Sequence, residues 1–289
     1  VSDLGTPSLD RVSVVIPAHD EGAMLERNLR RLLEGDRDGL LDVVVVANGC
    51  TDDTVERARA AGARVVEIPT ASKTAALNAG DAVATWFPRV YLDADVEIDA
   101  AAVLALGALL RPPSAVLVAS PRLHVDTARS SLPARQFFRI WELSDYRERG
   151  HIGSGVYALS AAGRARFGEF PDVIADDRFV QLRFSAAERG RLDAEFTVPA
   201  PRTLRAQMRR ATRIQAGNRE LIERFPDLVG GAPTARGHGN LLARVARRPR
   251  LWLSFPAYAI GYALPRLRGR RAAAAGRPVG WLRDDTSRA

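Results

Sequence analysis

A chain of 289 residues, 46% apolar and 26% charged, can bury its own core, suits one large α/β domain or two fused lobes, and is excluded from the disordered and collagen-like classes. Its single cysteine, Cys50, excludes an internal disulfide and a multi-cysteine zinc site; with no run of 18 apolar residues and no apolar core in the first 11, neither a spanning helix nor a secretory leader is expected, and the cytoplasm is the default location. The net charge of +8 is uneven, 11 basic and 18 acidic groups over residues 1–120 against 31 and 16 over 121–289, so the second half is expected to face something anionic.

Short β-branched runs at 12–16, 43–46, 65–68 and 90–92 suit strands buried on both faces of a parallel sheet. Helical patterns separate them. Leu25, Leu29, Leu32 and Leu33 form one apolar stripe that Gly35 ends. The next helix is expected to be capped by Thr51, with Asp52 and Asp53 in its first turn and Gly62 at its end. Alanine-rich residues 74–86 form a third. The order βαβαβαβ predicts a parallel sheet with right-handed crossovers. Beyond Ala119 the alternation weakens. A helix over 135–149 carries Phe137, Phe138 and Trp141, a strand is expected at 156–159, and a helix follows Asp176 and Asp177. A strand or hairpin is expected around 193–198 and a strongly basic helix over 205–225. Residues 251–264 are apolar, broken by Pro256 and Gly261 and bracketed by arginines, too short a stretch to span a bilayer. From Arg271 the tail is rich in Ala, Gly and Arg and is expected to fray.

In an open parallel sheet, ligands bind beyond the carboxyl ends of the strands. The polar clusters fall there: Pro17-Ala18-His19-Asp20-Glu21, Ala47-Asn48-Gly49-Cys50-Thr51-Asp52, Pro69-Thr70-Ala71-Ser72-Lys73 and Asp93-Ala94-Asp95. A strand leaves Asp93 and Asp95 on one face, where two carboxylates repel unless a cation or a donor lies between them. Oxygen-only ligands favour a hard ion, Mg2+ or Mn2+, of the kind that binds substrate phosphates. Of 42 basic residues 41 are Arg, so Lys73, the one lysine, is a candidate for a task that needs a compact ammonium. Each residue also has a plain structural role open to it: Asp20 or Thr51 as a helix cap, His19 as a turn residue, Cys50 as a small core filler.

Taken together and in this order, these segments resemble family 2 glycosyltransferases of the GT-A fold. Val14-Val15-Ile16-Pro17-Ala18-His19-Asp20-Glu21 stands for V-I-P-x-x-N-E, and Ala47 to Thr54 for D-D-G-S-x-D-x-T. Lys73 with Ala76-Leu77-Asn78-Ala79-Gly80 stands for K-x-x-A-L-N-x-G, and Asp93-Ala94-Asp95 for D-x-D. Downstream, Ala175-Asp176-Asp177 resembles the T-E-D box and Gln207-Met208-Arg209-Arg210-Ala211 resembles Q-x-x-R-W.

The resemblance implies a Rossmann-like, mostly parallel sheet flanked by helices. Residues 1–120 would form the nucleotide-sugar half, 121–230 a smaller acceptor and catalytic-base half, and 231–289 a basic C-terminal extension. It implies that Asp95 and Asp93 hold Mg2+ or Mn2+, and that Pro17, His19, Glu21, Asn48, Lys73 and Asp93 bind the donor with added charge from Arg210 and Arg213. Asp177 is implied as the base, with Asp176 as the alternative base or a cap. The activity implied is inverting transfer from a nucleotide-diphosphate sugar, a UDP-sugar first, to a hydroxyl acceptor that is lipid-linked, of the cell envelope or a natural product. His19 stands where an aromatic lies against the nucleobase and Ala47-Asn48 replace an acidic pair, which leaves the base identity open. Ala211 replaces the Trp of processive synthases and points to single addition.

Gly153-Ser154-Gly155-Val156-Tyr157-Ala158 fits a dinucleotide fingerprint in name only, because it runs into a strand instead of opening a helix. It reads as a flexible glycine loop at the acceptor, near Tyr157 or His151, or as a plain turn. His124 and His238 read as surface residues. The basic tail lacks any nucleic-acid recognition motif; its apolar segment with Trp252, Phe255, Tyr258 and Tyr262 points to an anionic membrane surface, at the inner face of the plasma membrane. A sugar nucleotidylyltransferase would need a Gly-rich phosphate loop with a basic residue after the first strand, and none is present. A binding subunit without turnover is the other alternative.

Overall fold

The computed structural model describes residues 10–144, 151–230 and 238–274. Two compact units divide the chain: Val1–Leu123 with Ile152–Asp172 and Phe184–Thr197, and His124–His151 with Val173–Arg183 and Val198–Ala289.

The first unit alternates as expected: β1 (Val12–Ala18), α1 (Gly22–Gly35), β2 (Leu41–Asn48), α2 (Thr54–Ala60), β3 (Arg64–Ile68), α3 (Lys73–Val83), β4 (Arg89–Leu92) and α4 (Ala100–Leu110). β5 (Val118–Asp126) leads out to α5 (Leu132–Trp141), and β6 (Val156–Leu159) and α6 (Ala161–Arg164) follow. Then come α7 (Asp176–Leu182), β7 (Arg189–Pro199), α8 (Leu204–Arg224), α9 (Pro226–Gly230), α10 (His238–Ala246) and α11 (Phe255–Ala274).

The sheet runs β3-β2-β1-β4-β6-β5-β7. β1 pairs in parallel with β2 and β4, and β2 with β3, whereas β6 is antiparallel to both β4 and β5. This is the mostly parallel, helix-flanked sheet that the residues imply. Its hydrophobic logic is direct: all seven residues of β1 are buried, and Leu25, Leu29 and Leu32 of α1 are each 1% exposed, each side chain contributing about 1.5–3 kcal/mol by leaving water. A buried cluster backs the inner strands. Asp81 pairs with Arg89 and Arg164 and accepts the Tyr91 hydroxyl at 2.7 Å; burial beside that carboxylate pushes the Tyr91 phenol well up.

Several boundaries differ from expectation. α2 begins at Thr54 with Asp53 at its N-cap, so Thr51 caps nothing. α3 is capped one residue earlier, by Ser72, whose Oγ accepts the Ala75 amide. α4 and β5 had no clear signal. α4 is apolar all round (AAAVLALGALL) and has no stripe for a 3.6-residue period to reveal, and Pro121 interrupts the strand pattern of β5.

In the second unit, the helix expected over 135–149 covers Leu132–Trp141 and ends before residues 142–144; residues 145–149 lie outside the described residues. The apolar stretch expected to break at Pro256 and Gly261 does not. A short 3-10 turn, Pro249–Ser254, leads straight into α11, which continues through Gly261 and Pro265. Pro256 falls in the first helical turn, where a missing N–H breaks no bond. Rings hold this helix: Phe137 of α5 stacks on Tyr258 at 5.4 Å, and Tyr258 on Tyr262 at 5.5 Å. α11 carries the chain to Ala274, and the remainder of the tail expected to fray lies outside the described residues.

Candidate active site

In the first unit the carboxyl ends of the parallel strands are tied together by their own polar residues. At the end of β1, Asp20 adopts φ 51°, a left-handed conformation that Asp tolerates better than most residues. Its Oδ1 accepts the Thr51 amide at 2.7 Å and the Thr51 hydroxyl at 3.3 Å. The Thr51 amide, with the neighbouring His19, holds the Asp20 carboxyl below its ordinary value. Pro17 lies in β1 opposite Val46 of β2, and the Glu21 amide donates to Thr54 Oγ1 at 2.9 Å, so the first turn of α1 is fixed by the start of α2.

His19 meets the carbonyl of Asn48 through Nδ1 at 2.7 Å. A carbonyl only accepts, so Nδ1 donates there, and Nε2 lies 3.8 Å from Asp20 Oδ2. Asn48 itself is buried, with Nδ2 donating to the Ala18 carbonyl at 2.7 Å. Its amide thus ties β1 to β2. Cys50 is half-buried against the same carbonyl, 3.4 Å away, and burial pushes its thiol up. His19, Asp20 and Cys50 are the group of three close metal-ligating side chains among the described residues. The Gly49 amide donates to Ile68 O at 2.8 Å, which joins the end of β2 to the end of β3.

At the switch in strand order between β1 and β4 stand Lys73 and the aspartate pair. Lys73 opens α3, and its Nζ lies 2.8 Å from Asp93 Oδ1. β4 ends at Leu92, so Asp93 and Asp95 do not share a strand face as expected. They sit in a turn closed by the Val96 amide on the Asp93 carbonyl at 3.1 Å. Asn28 of α1 holds the middle of that turn, donating to the Ala94 carbonyl at 3.0 Å.

The glycine segment 153–155 completes the turn. Gly155, at φ +109°, accepts the Asp93 amide on its carbonyl at 2.8 Å. A Cβ there would come 2.6 Å from Val96 Cγ2, so the positive φ and the packing against Val96 both ask for glycine. The segment is therefore a tight support for Asp93 rather than a flexible loop. Tyr157, expected near the acceptor, is buried and stacks on Tyr91 at 5.0 Å. Gly155 is the residue that sequence reasoning missed, although its G-x-G spelling was visible. His124 is exposed as expected, and the side chain of His238 lies outside the described residues.

In the second unit, Asp176 and Asp177 form the first turn of α7, as expected. Asp176 is 4% exposed, whereas Asp177 is partly exposed, its Oδ1 taking the Arg178 amide at 2.7 Å. α8 fixes the approach to this turn. Ile174 donates its amide to Glu220 Oε2 at 3.0 Å, and a Cβ on Gly217 would meet Ile174 at 2.9 Å. Arg210 and Arg213 precede Gly217 by seven and four residues, so all three lie on one face of α8. Gln207 lies three residues before Arg210 and is buried.

The sequence profile described as glycosyl transferase family 2 matches residues 13–167, just over half of the chain, and the chain belongs to that family. No curated protein matches the sequence. Among solved structures, a mannosyltransferase from Pyrobaculum calidifontis in complex with GDP-Man and Mn2+ is similar at a TM-score of 0.58 and 21% identity, covering 92% of this chain and 79% of that one. Glucosyl-3-phosphoglycerate synthase from Mycobacterium tuberculosis, in complex with Mn2+, UDP and glucosyl-3-phosphoglycerate, is similar at 0.49 and 23% identity over 65% and 71%. The fold is GT-A, and the chain is a nucleotide-sugar-dependent glycosyltransferase of that family.

Proposed function

We propose that this family 2 chain is an inverting, metal-dependent transferase that adds a single sugar, and that Lys73, Asp93 and Asp95 receive the donor diphosphate. The observation that carries the reading is the 2.8 Å pairing of Lys73 with Asp93 beside Asp95, at the carboxyl ends of the parallel strands. The oxygen-only donor set of Asp93 and Asp95 fits Mg2+ or Mn2+. Asp95 and Asp93 would hold that ion, which when bound neutralises charge on the leaving diphosphate.

The other residues are assigned by role. Lys73 supplies a fixed positive charge to the phosphates, and Arg210 and Arg213 of the second unit carry the donor-binding role that the family resemblance implies for them. Asp177, the more accessible carboxylate of its pair, takes the proton of the acceptor hydroxyl. The hydroxyl oxygen bonds to the anomeric carbon as the bond to the diphosphate oxygen breaks, and the configuration inverts. Asp176 sets the start of α7. Pro17, His19 and Glu21 shape the nucleoside end; Asn48 acts there through the strands it ties. Residues 1–120 serve the donor and 121–230 the acceptor.

The acceptor is a hydroxyl compound that is lipid-linked, of the cell envelope or a natural product, and the chain itself is assigned to an anionic membrane surface, at the inner face of the plasma membrane. The support is charge: between Leu228 and Arg283 there are 11 arginines and no carboxylate. Among the described residues no helix is long and apolar enough to cross a membrane, so the association would be interfacial.

Release of nucleoside diphosphate from UDP-sugars and GDP-mannose, with Mn2+, Mg2+ or chelator, tests the reading. We expect metal-dependent release, lost with donor binding in Asp95→Ala. Asp177→Asn is expected to bind donor and fail to transfer. Release of pyrophosphate would instead indicate nucleotidyl transfer, and donor binding without turnover under every acceptor condition would leave a binding subunit.

A further inference from the structure

We infer that the second unit carries a lipid headgroup site, a cleft that takes the phosphate of an anionic bilayer lipid beside an apolar tip that enters the interface. The inference rests on the membrane-surface assignment above and gives it a place. The end of α5 and the turn Pro249–Ser254 border an open groove of about 490 Å3, lined by Arg139, Arg248 and Arg250 with a single carboxylate, Glu142, and by Leu143 and Leu251. That volume suits a small headgroup. Arg30, Arg57, Arg59 and Arg64 are paired with carboxylates. By contrast Arg248 and Arg250 are exposed and make no ion pair among the described residues, and Arg139 reaches only Gln136 Oε1, at 3.5 Å. Three guanidinium groups around one carboxylate leave an excess of positive charge with forked N–H donors, the arrangement that phosphate recognition uses.

The tip adjoins the cleft in the same turn. Trp252 is 58% exposed and Leu253 90% exposed. The Trp252 indole N–H is already bonded to the Val245 carbonyl at 3.3 Å, so what the ring offers outward is apolar. Ser254, the next residue, is fully buried and donates to Gln136 Oε1 of α5. A buried anchor therefore holds Leu253 outward, and its exposure is built into the turn.

Charge decides between occupants. A second copy of this surface would set three arginines and a single carboxylate, Glu142, against the same set, because a two-fold contact pairs a patch with itself and leaves most of the arginines facing arginines. A nucleic acid would meet the arginines but leave Leu253 in water. An anionic bilayer supplies phosphate to the cleft and hydrocarbon to the tip together.

The test is flotation of the full chain with vesicles of phosphatidylcholine alone and of phosphatidylcholine mixed with phosphatidylglycerol. Binding is expected to the mixed vesicles only. The double variant Arg248→Glu/Arg250→Glu is expected to weaken it by about tenfold or more. Arg37→Glu/Arg129→Glu, the same charge change at two exposed positions away from the cleft, should weaken it clearly less. Leu253→Asn should weaken the binding that survives in high salt. Equal losses in the two double variants would reject the site while leaving the membrane assignment standing. Failure of the wild-type chain to bind mixed vesicles would reject both. Binding to the phosphatidylcholine vesicles as well would remove the need for an anionic headgroup, and unchanged binding by Leu253→Asn would remove the tip. Thermal melts of each variant, and the milder Arg248→Gln/Arg250→Gln, separate lost binding from lost fold.

Discussion

The ammonium of Lys73 sits 2.8 Å from Asp93 Oδ1, so the one lysine of the chain is paired with the first carboxylate of Asp93-Ala94-Asp95. Both side chains are more than a third exposed, at 38% and 35%, and such a pair adds no more than about 1 kcal/mol to stability. Its value lies in placing positive charge where a diphosphate arrives.

Lys73→Arg is therefore expected to melt within about 2–4 °C of the wild type. It should bind nucleoside diphosphate with Mn2+ about tenfold more weakly, because a planar fork cannot replace a point charge in that space. Titration calorimetry checks this. Unchanged affinity would reduce the lysine to an accident of composition.

Gly155→Ala is expected to lower stability by about 1–3 kcal/mol, since alanine at φ +109° is strained and its Cβ meets Val96. Donor binding should fall with it, as the carbonyl that holds the Asp93 amide shifts. Gly168→Ala, where an added Cβ meets nothing within 4 Å, should stay within about 0.5 kcal/mol. Denaturant melts of the two variants make the comparison, and equal stability would show that the Asp93 turn does not need its glycine.

Asn48→Asp is expected to destabilise by about 1–3 kcal/mol. The change removes the donor that reaches the Ala18 carbonyl at 2.7 Å and sets a carboxylate against that oxygen in a buried position. The deficit should be larger at neutral than at acid pH, where the new carboxyl protonates and can donate. A stable, donor-binding Asn48→Asp protein would mean that the side chain is free to turn toward the nucleoside.

Asp20 gives a pH signature. Its carboxyl lies below the ordinary 3.8 because the ionised form accepts the Thr51 amide. Stability from that bond is fully present above the unfolded value and fades as pH falls through the folded one. Asp20→Asn, which keeps the shape and tolerates the left-handed backbone, should therefore be less stable than the wild type by up to about 1 kcal/mol at neutral pH. The gap should close below pH 3.8. Denaturant titrations across that range decide it; a gap that persists in acid would assign the loss to shape rather than charge.

Legibility followed the range of the interactions. The apolar runs of β1, β2, β3 and β4 and the stripe of α1 were readable because their periodicity reflects burial on known faces. The clusters at the strand ends were readable because chain order alone places them on one edge of a parallel sheet. α4 was not, since a segment that is apolar all round has no contrast to read, and α11 differs from expectation because a proline in a first helical turn and a glycine within a helix look the same in sequence as ones that end it. The hydrogen-bonding capacity of Asn48 is visible in sequence, whereas the turn of its Nδ2 to the Ala18 carbonyl is not.

The amino-acid order by itself determined the alternation of strands and helices, the edge at which polar residues gather and the concentration of positive charge toward the C-terminus, because local periodicity and charge are properties of neighbouring residues. Only the tertiary structure decided that Lys73 reaches Asp93, that Gly155 supports the same aspartate from a turn far along the chain, and that Leu253 is held outward by the buried Ser254. Those relationships depend on how closely distant backbones approach, and that distance is set by packing rather than by spacing in the chain.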